Sequence, residues 1–122
     1  ESSGSAAARE LLAGELPTAV IAGNDRCAVG VLDEFRRDGV EVPGRVSLVG
    51  YDNSRLARLA HVDLTTVRQN TEELARHAVE FAIGRLDGTV SGPPRVVELT
   101  PDLVIRGSTS PARGWSFTRA RR

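Results

Sequence analysis

TAVIAGNDRCAVGVLDEFRRDGVEVPGRVSLVGYDN, residues 18–53, holds the pattern that decides the fold. Thr18 to Gly23 is a short apolar run behind the chain-breaking Pro17 and reads as a strand buried on both faces. Asp25 to Asp38 then carries Ala28, Val31, Leu32 and Phe35 on one helical stripe, at the i, i+3, i+4, i+7 spacing. Gly39 suits the end of that helix and Pro43 prevents its resumption. Val46 to Tyr51 follows as a second buried strand. Strand, helix, strand is a βαβ unit, which requires parallel strands and a right-handed crossover. The expected fold class is α/β, built on a parallel sheet.

Upstream, Ser5 to Ala13 predicts a helix, with Ala6 to Ala8, Leu11 and Leu12 apolar and Gly14 able to stop it. Downstream, Arg55 to Leu59 reads as a helical turn and Leu64 to Val67 as a short strand or crossover segment. Asn70 is placed to cap a long helix reaching Leu86, with Glu73 completing a capping box. Residues 87–94 are a loop rich in Gly and Pro, and Val96 to Leu99 and Leu103 to Arg106 read as extended segments around Pro101. The domain is expected to span residues 1–109, followed by a flexible tail, 110–122, that contains Trp115 and four arginines.

Composition narrows the function classes. The 122 residues suffice for one domain and one modest core, and 40% hydrophobic with 26% charged residues is ordinary for a globular protein. All 16 basic residues are Arg and balance 16 acidic ones, so no polyanion-binding surface covers the chain. No apolar run has the roughly 20 residues that a membrane-spanning helix needs, and no secretory signal is visible. The lone Cys27 excludes an intramolecular disulfide and a cysteine-based zinc site, and a reducing cytoplasm is the simplest compartment. No cofactor fingerprint or metal-ligand spacing is present: His61 and His77 stand apart, and no glycine-rich turn follows a strand.

The two turns after the strands carry the chemistry. Ligands of open parallel sheets bind beyond the carboxyl ends of the strands. Asn24 and Asp25 follow the first strand of the unit, and Asp52 and Asn53 the second. A carboxylate accepts hydrogen bonds from vicinal hydroxyls and an amide both donates and accepts, which suits a sugar or another polyol. Helix capping is the competing explanation, since Asn and Asp are common N-caps. One helix needs only one cap, so the second member of each pair stays open between the two roles. Cys27, in the first turn of its helix with no histidine nearby in sequence, reads as a small packed thiol.

Four segments in order carry a family resemblance: TAVIAGNDRCAVG (18–30), VPGRVSLVGYDN (42–53), LTTVRQ (64–69) and LVIRGST (103–109). Together they resemble the effector-binding domain of LacI/GalR-type transcriptional regulators. The resemblance implies a periplasmic-binding-protein-like (type I) fold, of which this chain is the C-terminal subdomain, with the 70–86 helix belonging to an N-terminal subdomain outside it. It implies a homodimeric repressor with a small-molecule effector, a sugar foremost, reaching operator DNA only through a headpiece absent from this chain. Ligand-contact positions fall on Asn24, Asp52 and Gln69, with Asp25 and Asn53 as neighbouring candidates, and a dimer contact falls on Val29. One departure stands out: Asp63 occupies the place where the family usually has Pro before Leu-Thr-Thr.

Two other function classes compete. A sugar-binding protein of an importer shares the fold, although the closing Arg-Gly-Ser-Thr at 106–109 favours the regulator. An α/β enzyme would need an acid–base pair, a nucleophile triad or a cofactor motif, and none is visible, so no enzymatic activity is expected. The helix ending at Leu86 has an apolar arc over more than half its circumference, wider than one sheet can cover. Burial against another copy of the chain is therefore expected.

Overall fold

The computed structural model describes residues 1–112. Strands β1 (Ala19–Ile21), β2 (Ser47–Tyr51), β3 (Thr65–Arg68) and β4 (Asp102–Val104) form one sheet in that order. The first three run parallel, and β4 closes the far edge antiparallel to β3. Helices α1 (Ser2–Leu12), α2 (Asp25–Arg37) and α3 (Thr71–Leu86) and a 3-10 turn (Leu56–Arg58) complete the fold. The parallel βαβ unit expected over residues 18–53 is present, with Val20 opposite Leu48.

The core forms where the α2 stripe meets the sheet. Ala28, Val31, Leu32 and Phe35 are all buried, against Val46, Leu48 and Leu64 from the sheet side and Ala57 from the 3-10 turn. Full burial of each large side chain removes hydrocarbon from water, worth roughly 1.5–3 kcal/mol apiece. Gly39 ends the helix in the left-handed region (φ +74°), as its position suggests.

Helix α1 lies on α2 at very short range. A Cβ at Gly4 would overlap the carbonyl of Cys27, and one at Gly30 would overlap the carbonyl of Glu1. Ser5 Oγ donates to the Gly30 carbonyl across this contact at 3.3 Å. Helix α1 starts at Ser2 rather than at Ser5. Gly4 looks like a weak helix former in isolation, but here the absence of a side chain is what the packing requires.

Several expectations are corrected. The strands of the unit are not buried on both faces: Val20 and Leu48 point into the core, whereas Ile21 on the opposite face is 80% exposed. A short apolar run has the same composition whether one face or two are covered. Asn70 does occupy the N-cap position of α3, yet no capping box forms. Its backbone (φ −82°, ψ 69°) is not extended, and its Nδ2 donates to Glu73 Oε2 at 2.7 Å. Residues 96–99 form no strand. At the start of the expected tail, Ser110 N–H donates to Ser47 Oγ at 3.2 Å and Ser110 Oγ to the Pro43 carbonyl at 3.3 Å. The rest of the expected tail from residue 113 onward, Trp115 included, lies outside the described residues.

Among the described residues, helix α3 packs on no other helix or strand to an extent comparable with the α1–α2 contact. Leu74, Val79, Ile83 and Leu86 are all exposed along it.

Candidate functional site

Because β2 and β3 are parallel neighbours, the chain leaves both on the same edge of the sheet. Asp52 follows the end of β2 and Gln69 the end of β3, and Gln69 Nε2 donates to Asp52 Oδ1 at 3.1 Å. With Asn53, Arg58, Arg68, Asn70, Thr71 and Glu72 they line an open, polar cleft of about 430 Å³. Arg68 is already engaged, donating to Asp102 Oδ2 at 2.6 Å across the β3–β4 pair.

The turn that presents Asp52 is conformationally costly. Asp52 (φ +108°) and Asn53 (φ +50°) are consecutive non-glycine residues at positive φ. Hydrogen bonds from all around hold it there. Asp52 N–H donates to the Val67 carbonyl at 2.8 Å and Asn53 N–H to Thr66 Oγ1 at 3.3 Å. Ser54 N–H donates to Asp25 Oδ2 at 2.6 Å, and Arg58 Nη2 donates to the Asn53 carbonyl at 3.3 Å. Arg106 Nη2 donates to Asn53 Oδ1 at 2.6 Å.

The five residues singled out from the sequence therefore separate. Asp52 and Gln69 meet at the exposed rim of the cleft, and Asn53 lies in its wall with its side-chain oxygen turned away to Arg106. Asn24 is the N-cap of α2, its Oδ1 accepting from Cys27 N–H at 2.8 Å, and it does not line the cleft. Asp25 is 1% exposed, and both carboxylate oxygens are occupied, one by Ser54 N–H and the other by Thr66 Oγ1 at 2.6 Å. It is out of reach of any molecule in the cleft. Its charge is compensated by those donors and by the positive end of α2.

Arg58, Asn70, Thr71 and Glu72 were not anticipated. The signal for the last three was their position directly after the β3 run; Arg58 left none, since the 3-10 turn that carries it has no periodicity. Val29 lies half-buried on the flank of α2 beside exposed Asp33 and Arg36. The His77 ring lies within 4 Å of Glu73 and Glu80, and among the described residues no group of His, Cys, Asp or Glu is placed to hold a metal ion. No described helix is long and apolar enough to cross a membrane.

The family model for the periplasmic binding protein-like domain matches residues 1–109. Among curated relatives, the HTH-type transcriptional regulator MalR of Streptomyces coelicolor is 37% identical over 111 residues, 91% of this chain and 32% of that protein. The HTH-type transcriptional repressor PurR of Glaesserella parasuis is 36% identical over 99 residues, 77% of this chain and 29% of that protein. Among solved structures, a LacI transcriptional regulator from Rhodococcus is 44% identical with a TM-score of 0.76, covering 87% of this chain and 39% of that one. The transcriptional regulator CelR, in complex with cellobiose, is 38% identical with a TM-score of 0.80, covering 88% of this chain and 33% of that one. The chain thus spans about a third of the length of these relatives, all of them named as regulators rather than enzymes. It belongs to the periplasmic binding protein-like domain family, in the form that LacI/GalR-type transcription regulators carry as their effector-binding domain.

Proposed function

We propose that this chain supplies one wall of the effector site of a DNA-binding transcription regulator, and that the effector is a sugar or a similar small polyol. The observation that carries the reading is the Asp52–Gln69 pair at the rim of a polar cleft. Asp52 gives one carboxylate oxygen to Gln69 and keeps the other for ligand hydroxyls, while the Gln69 carbonyl oxygen accepts from a further hydroxyl. The cellobiose bound to the CelR relative supports a sugar as the ligand class. Asn24, Asp25 and Asn53 serve the site by fixing the turns around it. The regulator works as a cytoplasmic homodimer, joined along the flank of α2 at Val29, and meets operator DNA through a headpiece outside this chain.

Isothermal calorimetry on the complete regulator tests the reading. A hydroxyl hydrogen bond to a charged acceptor is worth about 1.5–3 kcal/mol, so Asp52→Ala should weaken sugar binding roughly 10- to 100-fold while leaving the fold intact. An Asp52→Ala regulator with undiminished affinity would show that the site lies elsewhere. Residues 1–112 alone, with one wall of the cleft, should bind no better than roughly millimolar, because a few polar contacts barely offset lost translational and rotational freedom.

A further inference from the structure

Arg106 stands outside the cleft and touches none of its open surface, yet it holds the cleft's turn from behind. Its guanidinium makes two charge-assisted hydrogen bonds, Nη1 to the Leu64 carbonyl at 2.7 Å and Nη2 to Asn53 Oδ1 at 2.6 Å. Leu64 directly precedes β3 and Asn53 sits two residues beyond β2, so one side chain clamps the entry of one strand to the exit of its neighbour. The arginine is itself fixed. Its own N–H donates to Thr65 Oγ1 at 2.9 Å, and Thr65 Oγ1 donates to the Arg106 carbonyl at 3.1 Å. Two residues on, Ser108 Oγ receives Thr65 N–H at 2.8 Å and donates to the Leu48 carbonyl at 2.6 Å.

The clamp acts where the backbone needs it. Asn53 is 8% exposed and its backbone is at positive φ, next to an even less favourable Asp52. Apart from the Gln69–Asp52 side-chain bond, the other bonds to the turn reach main-chain groups; among the described residues only Arg106 holds the Asn53 side chain. Without that grip the turn keeps its main-chain bonds but loses the one that fixes the Asn53 side chain.

We propose that Arg106 is a positioning residue for the effector site: through Asn53 it holds the strained 52–54 turn so that the Asp52 carboxylate is set in place before ligand arrives. The inference rests on the effector reading of the cleft for its consequence in binding, but the geometric part stands without it. The device is preorganisation, in which the ordering cost is met on folding rather than on binding.

The test measures site-resolved hydrogen exchange in the complete protein together with calorimetry against ribose, galactose, maltose and cellobiose. Arg106→Ala and Asn53→Ala should each raise exchange at Asp52, Asn53 and Ser54 at least about tenfold, as expected for loss of a charged hydrogen bond. The double variant should be no worse than either alone, because both changes break the same link. Asn53→Asp keeps the acceptor and should leave the turn protected. Sugar affinity should fall with turn protection, again roughly tenfold, while the amides of β2 and β3 stay protected. Unchanged exchange at 52–54 in Asn53→Ala, or additive effects in the double variant, would overturn the positioning role. If Arg106→Ala does not fold, the Asn53 pair decides the question alone. Wild-type protein that binds none of the four sugars would overturn the effector reading instead, with exchange still deciding the role of Arg106.

Discussion

Asp63 shows how a single departure from a family pattern acquires a physical reason. Its backbone is at φ +42°, its N–H donates to the Leu59 carbonyl at 2.8 Å, and its Oδ2 accepts from Gly107 N–H at 2.9 Å. Proline has no N–H and a ring that fixes φ near −65°, so this chain cannot hold the family's usual residue in this conformation. Asp63→Pro should therefore cost about 3 kcal/mol or more, read as a lower midpoint in denaturant unfolding. A variant of unchanged stability would mean that the loop has a second conformation of equal energy. At the same scale, Asp25 was legible as chemically special but not as buried. Its partner Thr66 lies 41 positions away, beyond the span of any local pattern.

At the scale of elements, the α1–α2 contact is held by closeness and by charge. Gly30→Ala gains at most about 1 kcal/mol of helix propensity, against roughly 1–3 kcal/mol for overpacking on the Glu1 carbonyl. Net destabilisation of up to about 2 kcal/mol is expected in chemical denaturation, and a stabilised variant would show that α1 is free to move away. Outside the glycines, Glu34 Oε1 receives Arg9 Nη2 at 3.1 Å and Arg37 Nη1 at 3.0 Å. The Arg9 hydrogen bond does most to lower the Glu34 carboxyl below its ordinary value. Desolvation opposes it, and the charges of both arginines add to the lowering. A carboxylate lowered on folding stabilises the protein above its unfolded value near 4.5, and the contribution fades as pH falls through the folded value. Arg9→Ala should move the Glu34 titration upward in carbon-13 NMR, and an unmoved midpoint would remove Arg9 as the cause. The α2 stripe and the Gly39 that ends it were legible because each depends on a few neighbouring residues. The closeness of α1 was not, because Gly4 and Gly30 acquire meaning only when the two helices touch.

For the whole molecule, the main question is what covers the faces that the fold leaves open. Leu86 is 85% exposed and Leu74, Val79 and Ile83 are each more than half exposed, far more apolar surface than a stable lone helix presents to water. Residues 1–112 on their own should therefore self-associate through α3, as its wide apolar arc suggests, whereas the two-fold contact we propose at Val29 would use a separate surface on α2. Light scattering distinguishes the two surfaces. Ile83→Glu should lower the mass of the isolated segment, and Val29→Asp should halve that of the complete regulator. A monodisperse, monomeric wild-type segment would remove α3 as a contact between copies, and an unchanged mass in Val29→Asp would remove the dimer contact.

By itself the sequence determined the parallel βαβ unit, the buried stripe of α2 and the edge of the sheet at which the Asn24–Asp25 and Asp52–Asn53 turns would emerge. Those features follow from apolar spacing, capping chemistry and chain direction, all of which act over a few neighbouring residues. The tertiary structure alone decided that Asp25 faces inward, that one face of β1 stays open and that Arg106 grips Asn53 across 53 positions. It also decided that Gln69 meets Asp52, since that contact exists only once β2 and β3 are in register. Which of two neighbouring polar side chains turns outward is set by the donors that folding brings beside them. Those donors come from segments whose approach no local periodicity encodes.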